Sequence, residues 1–247
     1  SLLDLPRLGL GRFDYVTCLG VVHHLPDPDA GLRALTQVLD DQGALALMLY
    51  GRYGRLDIYA MQDLMKLVNR DEPDLRAQLS NLKTAMRSLS PAHLMMRGRS
   101  PEALASRLGD DANLVDTYLH VQDRAYTVPE IHDFVESAGM SITSFTNFFW
   151  TLPLEYDPDV YLADQQLKAK LAGRGVREGR AMGELLHGHM YVHGSYATRP
   201  GRAAASFQDG DMVPFFLTAP APEGAAQLVA QGSGDGRLSG RPPFALA

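Results

Sequence analysis

The strongest constraint on the fold is a strand–helix–strand pattern within the first 50 residues. Phe13-Asp14-Tyr15-Val16-Thr17-Cys18-Leu19-Gly20-Val21-Val22 is a largely apolar run rich in β-formers. Such a run suits a parallel strand buried on both faces. Asp27 then offers an N-cap with Pro28 at the first helical position. Leu32, Leu35, Val38 and Leu39 recur at three-and-four spacing, one apolar helical face. Asp40-Asp41-Gln42-Gly43 breaks the helix, and Ala44 to Tyr50, between Gly43 and Gly51, is a second apolar run. A short helical crossover between two buried strands is a unit of a doubly wound α/β sheet.

Residues 54–126 change character. Ile58, Met61, Leu64, Met65 and Val68 sit at helical spacing, as do Leu75, Leu79, Leu82, Met86 and Leu89, with Pro73 and Pro91 as punctuation. This reads as a helical insertion whose methionines pack between helices. An adaptable binding surface is the competing reading. Lys83, Arg87, Arg97, Arg99 and Arg107 form a locally basic stretch opposed by Glu102, read as a solvated face ahead of a site for an acidic group.

The α/β pattern resumes over 127–200. Thr127-Val128-Pro129-Glu130 fits a capping box. Ile131, Phe134, Val135 and Ala138 give the buried face, and Gly139 suits the C-terminal cap. Met140 to Trp150 reads as a strand, Pro158 to about Leu186 as helix with glycine interruptions, and His189 to Thr198 as the final strand. Residues 201–247 read as a loose tail. Gln231 to Pro243 is linker-like, and Met212 to Thr218 is a candidate edge strand because of Pro214.

Composition narrows the function. Of 247 residues 45% are apolar, enough for one large domain or two small ones. The net charge of −6 weighs against a general nucleic-acid surface. A single cysteine, Cys18, precludes an internal disulfide and suits a reducing, cytoplasmic compartment. No apolar run approaches the roughly 18 residues of a membrane helix. The opening Ser-Leu-Leu-Asp-Leu-Pro-Arg has no basic region followed by a long apolar core, so it does not read as a signal peptide.

The run Phe13 to Val22, continued by His23-His24-Leu25-Pro26-Asp27-Pro28, then Gly31-Leu32 through Leu39 and the Gly43 turn, resembles the middle of class I S-adenosylmethionine-dependent methyltransferases. The resemblance covers residues 1–52 and continues more weakly through Thr127 to Trp150 and His189 to Thr198. It departs at Asp40-Asp41-Gln42-Gly43, where Pro-Gly-Gly is usual. Leu47 to Arg55 looks like a bacterial subgroup with a helical insert after the fifth strand. The resemblance implies the C-terminal part of a Rossmann-like doubly wound sheet: core residues 1–53, insertion 54–126, and the remaining helices and last two strands in 127–200.

It also implies S-adenosyl-L-methionine as cofactor. The family's glycine-rich loop after the first strand, and the acid ending the second, have no counterpart here. Gly9-Leu10-Gly11 opens no helix and reads as a surface turn. The chain is therefore expected to be an N-terminally truncated piece that binds the donor poorly alone. By resemblance, Ser1 and Leu2 fall in the segment that contacts adenine. Leu19, Gly20 and Val21 would line the methionine part of the cofactor at the strand's carboxyl end, where ligands bind in such sheets. His24 would brace the loop beside it.

His23 is the candidate general base for an oxygen or nitrogen acceptor, a buried structural histidine being the plainer reading. Tyr50, Tyr53 and Arg55 are expected to shape the acceptor pocket. His187-Gly188-His189 with His193 invites a zinc site, but no cysteine or carboxylate stands in register, so no metal is assigned. No G-x-S-x-G elbow supports hydrolysis. The acceptor, whether small molecule or protein, and the oligomeric state stay open. So do two competing readings, a non-catalytic interaction module and another nucleotide-binding α/β enzyme.

Overall fold

The computed structural model describes residues 1–97, 101–120, 122–146 and 153–201. Among them, five strands form one mixed sheet. β1 (Phe13–Leu19) pairs in parallel with β2 (Leu39–Gly51), and β2 pairs antiparallel with β5 (Val192–Thr198). β5 pairs antiparallel with β4 (Ser141–Thr146), giving the order β1-β2-β5-β4. The two-residue β3 (Ala125–Tyr126), which the spacing places at the end of the insertion, adds in parallel to the end of β2 at Tyr50 and Gly51.

β2 is the spine. Leu45, Ala46, Leu47, Met48 and Leu49 are all buried, because strands flank β2 on both sides and helices cover it. The turn expected at Asp40 to Gly43 bulges out within this strand. Pairing jumps from Phe13–Leu39 to Tyr15–Ala44, and the Asp40 carboxylate accepts from the Gln42 N–H at 3.0 Å. Leu39 accordingly lies on the strand and not on the preceding helix.

β1 departs from the expectation of burial on both faces. Only Cys18 is buried, and Phe13 and Leu19 are exposed. The cause is position. Among the described residues β1 pairs with β2 alone, and an edge strand has cover on one side only. β1 also ends at Leu19, because Gly20 turns the chain.

α1 (Pro28–Gln37) begins as its sequence dictates, the Asp27 carboxylate accepting from the Ala30 N–H at 2.8 Å. α6 (Val128–Ser137) opens with the full capping box: Thr127 Oγ1 accepts from the Glu130 N–H, and Glu130 accepts from the Thr127 N–H at 2.7 Å. Leu32 and Leu35 of α1 and Ile131, Phe134 and Val135 of α6 pack with β2 in one core.

The intervening helices are α2 (Leu56–Val68), α3 (Leu75–Arg87), α4 (Pro101–Leu108) and α5 (Asp111–Tyr118). They build a second core from Ile58, Met61, Met65, Leu82, Met86, Met95, Leu114 and Tyr118, so these methionines fill space between helices. Two residues of the basic stretch are engaged locally. Lys83 pairs with Asp111, and Arg107 donates to the Tyr118 hydroxyl at 2.8 Å. Arg99 lies outside the described residues, as do residues 147–150 of the expected fourth strand and the tail beyond 201.

α7 (Gln165–Leu171) and α8 (Val176–His187) precede β5, which starts at Val192 rather than at His189. A buried network ties this half together. His193 of β5 meets the Tyr156 hydroxyl at 2.8 Å through Nδ1 and the Glu184 carboxylate of α8 at 3.1 Å through Nε2. The second oxygen of Glu184 accepts from the Val128 N–H of α6 at 2.8 Å.

Candidate functional site

The carboxyl ends of the parallel strands β1 and β2 face one another, and the expected site residues gather there. Gly20 leaves β1 with φ +73°, a conformation that side chains with a Cβ rarely adopt. Its N–H donates to the Met48 carbonyl at 3.3 Å, and a Cβ would stand 3.2 Å from Met48 Cε. Gly20→Val is therefore expected to cost about 1–3 kcal/mol in urea unfolding, with Gly20→Asn costing less because Asn tolerates this region.

Past the turn, Leu19 and Val21 are exposed while Val22 and His23 are fully buried in the 3₁₀ turn Val22–His24. Gly31 of α1 lets the chain start approach this turn. A Cβ there would lie 2.9 Å from Val22 Cγ2 and 3.4 Å from Leu2 Cδ2. Leu2 is thus brought beside the turn. Ser1 is exposed and caps the turn Leu2–Arg7, its hydroxyl accepting from the Leu3 N–H at 3.3 Å.

Tyr50, next to last in β2, joins the two strand ends. Its ring centroid lies 4.0 Å from that of His23 and 5.4 Å from that of His24. The guanidinium of Arg55 stacks on Tyr50 at 3.5 Å and reaches the Tyr191 ring at 4.9 Å and the Tyr59 ring at 5.9 Å. Tyr53 is half-buried in the same turn, Tyr53–Arg55, but joins none of these ring contacts among the described residues. Gly51 and Gly54 make this approach possible, since a Cβ at either would collide with the backbone of Met190.

The helical insertion closes the cluster with residues that local spacing did not single out. Arg55 pairs with Asp123 at 3.5 Å, both side chains being only 4% exposed, and Gln62 Nε2 donates to the same carboxylate at 3.3 Å. His120 stacks on His24 at 4.3 Å, and His24 Nδ1 meets the Gln122 carbonyl at 3.2 Å. The Arg124 N–H donates to the His23 carbonyl at 3.1 Å. Asp123 and His120 lie about 100 residues from the His23-His24 motif, so no local pattern could reveal them.

Burial dominates the electrostatics. It lowers the His23 pKa to about 3, helped by the charges of His24, Arg55 and His120 and weakly opposed by the Met48 backbone. His23 is thus neutral at pH 7. Burial also raises the phenols. For Tyr50 the Arg55 charge opposes the rise while Asp116 and Asp123 add to it, and for Tyr59 Asp123 adds to it and Arg55 opposes it.

The histidines weighed as a zinc site do not converge. His189 lies ahead of β5, and His193 is engaged with Tyr156 and with Glu184, a carboxylate that α8 and not the strand supplies. Among the described residues no group of three or more His, Cys, Asp or Glu side chains is placed to hold a metal ion. No helix there is long and apolar enough to cross a membrane.

Comparison with known proteins agrees with the motif. Residues 1–47 match the family described as methyltransferase domain. An uncharacterized protein of Synechococcus sp. is 32% identical over 148 residues, which are 60% of this chain and 35% of that protein. Two solved structures of PKMT2 from Rickettsia typhi share the fold. One has TM-score 0.58 and 17% identity over 82% of this chain and 38% of that one. The other, in complex with AdoHcy, has TM-score 0.61 and 13% identity over 82% of this chain and 39% of that one. The chain spans little more than a third of the length of these relatives. Its first 47 residues match a methyltransferase domain, and its mixed α/β fold with a partial sheet is similar to that of PKMT2.

Proposed function

We propose that this chain is part of an S-adenosyl-L-methionine-dependent methyltransferase, with its reaction region between the carboxyl ends of β1 and β2. The observation that carries this reading is the meeting of the Gly20–His24 turn, which lies inside the segment that matches a methyltransferase domain, with Tyr50 just past that segment. Ligands of such sheets bind beyond the carboxyl ends of parallel strands. The likeness to a chain solved with AdoHcy supports the choice of cofactor.

The residues present suit part of that cofactor. Leu19 and Val21 expose apolar side chains on either side of a glycine turn, next to Leu2, and would hold the methionine and adenine portions with Ser1 and His24. When bound, the cofactor supplies a methyl group already activated on a sulfonium. The protein's task is then to hold the acceptor in line. His23 is neutral at pH 7 and can accept a hydrogen bond from the acceptor. A conjugate acid with a pKa of about 3 is a poor store for a proton, so His23 orients the acceptor's hydrogen more than it retains it. Tyr50 and Arg55 form the wall opposite, with Tyr53 at its rim.

Isothermal titration of S-adenosyl-L-methionine into the full-length protein carrying this chain is expected to show binding. Absence of heat at high ligand concentration refutes the enzyme reading and favours a non-catalytic interaction module. These 247 residues alone are expected to bind at least about tenfold more weakly, since they hold no glycine-rich loop and partner acid for the ribose and carboxylate. The lone Cys18, buried and unpaired, suits a cytoplasmic protein.

A further inference from the structure

Two histidines meet where the insertion returns to the Gly20–His24 turn, and the backbone of one residue fixes the hydrogens of both. His24 Nδ1 lies 3.2 Å from the Gln122 carbonyl oxygen. A carbonyl only accepts, so Nδ1 carries the hydrogen, and in the neutral ring Nε2 keeps a lone pair. The Gln122 N–H donates to His120 Nδ1 at 3.1 Å. That lone pair is spent, so neutral His120 carries its hydrogen on Nε2. The two rings stack with centroids 4.3 Å apart. The Gln122 side chain also holds the end of the turn, donating to the Leu25 carbonyl at 3.3 Å.

The two nitrogens of an imidazole point in nearly opposite directions, so Nε2 of His24 faces away from Gln122. His24 is half-buried, follows the carboxyl end of β1, and stands perpendicular to the Tyr50 ring. Its neighbour His23 is completely buried, and His120 presents a hydrogen instead of a lone pair. Of these three rings, His24 alone combines a lone pair with access.

We propose that His24 is the proton acceptor of the methyl transfer, its lone pair held at Nε2 by the Gln122 carbonyl. The proposal rests on the methyltransferase reading for the reaction, and on the hydrogen bonds alone for the state of the ring. As the acceptor's oxygen or nitrogen bonds the methyl carbon, the carbon–sulfur electron pair passes to sulfur. The acceptor's hydrogen moves as a proton to Nε2, and the imidazolium later returns it to water. The bond to Gln122 survives this charging, since Nδ1 donates in both states, and it strengthens when the donor is charged. His120 could take a proton only by giving up its bond from the Gln122 N–H.

Nitrogen-15 labelling of the histidines in the full-length protein carrying this chain tests the proposal. Above about pH 8, where an ordinary histidine is neutral, long-range proton–nitrogen spectra should place hydrogen on Nδ1 of His24 and on Nε2 of His120. The second measurement compares S-adenosyl-L-methionine with its demethylated product S-adenosylhomocysteine. The sulfonium charge of the former should lower the pH midpoint of the His24 signals by about half a unit or more, the effect of a unit charge several ångströms away even in water. The groups around His24 are His23 and Tyr50 from the strand ends and His120 from the insertion, with Asp123 and Arg124 next along the chain. They are the same in both complexes, so the comparison isolates the sulfonium. Hydrogen on Nε2 of His24, or equal midpoints with the two ligands bound, would overturn the proposal. Failure of both ligands to bind, read by calorimetry, would refute the methyltransferase reading and the proposal's reaction with it, and is told apart because the ring hydrogens are read without ligand.

Discussion

Replacing Asp123 with alanine is expected to destabilise the protein by about 3–5 kcal/mol, the typical cost of leaving a buried charge without its partner. Arg55 and Asp123 are each 4% exposed, and they bridge the end of β2 to the return of the insertion. Without the carboxylate, Arg55 keeps its contacts with Tyr50, Tyr191 and Tyr59, but ring faces do not neutralise a guanidinium. Gln62 loses one acceptor and keeps its hydrogen bond to the Thr117 carbonyl. The double variant Arg55→Met/Asp123→Leu should recover most of the loss, since it removes both charges and their desolvation together. Urea unfolding of the three proteins measures this. A loss below about 1 kcal/mol for Asp123→Ala would mean that Arg55 reaches water or another acceptor.

The fold was most legible where local rules and tertiary position agree. Asp27-Pro28, Thr127 to Glu130 and the buried run Ala44 to Tyr50 each carry their structure in a few neighbouring residues, through capping chemistry and burial that do not depend on distant partners. β1 shows the limit. Its composition matches that of a central strand, but exposure is set by how many neighbours pair with it, which composition does not encode. The alternation from His189 onward looks strand-like and places the start of the final strand three residues early. The true start is set by pairing of Val192 with Tyr50.

The candidate site was half legible. His23, His24, Tyr50 and Arg55 follow the two strand ends within a contiguous stretch, so order along the chain placed them together. Asp123, His120, Gln62 and Tyr59 come from the insertion, and Tyr191 precedes β5. Their arrival depends on how the insertion folds back, with β3 pairing to β2 at Tyr50 and Gly51 fixing the return point. The buried carboxylate for His193 was missed for a similar reason: Glu184 stands nine residues upstream on a helix, outside any strand register.

Acid should weaken this fold through His23, and the effect isolates the state of that ring. In the unfolded chain His23 titrates at its ordinary value of 6.5, whereas burial holds the folded value at about 3. Between those values the unfolded state carries a proton that the folded state does not. Stability from neutral burial is therefore complete above about pH 6.5 and is lost as pH falls toward 3. The loss grows to about 1.4 kcal/mol per pH unit, one proton's worth. His132, whose pKa is lowered by burial and then by Arg180 and Arg177, adds to the same trend. His23→Leu removes only the first contribution, so its stability should fall by about 1 kcal/mol less than wild type between pH 6 and pH 5, a range above most carboxylate titrations. Urea midpoints at those two pH values provide the comparison. Parallel curves would show that the folded ring takes up a proton as readily as the unfolded one, which requires a partner for its nitrogens.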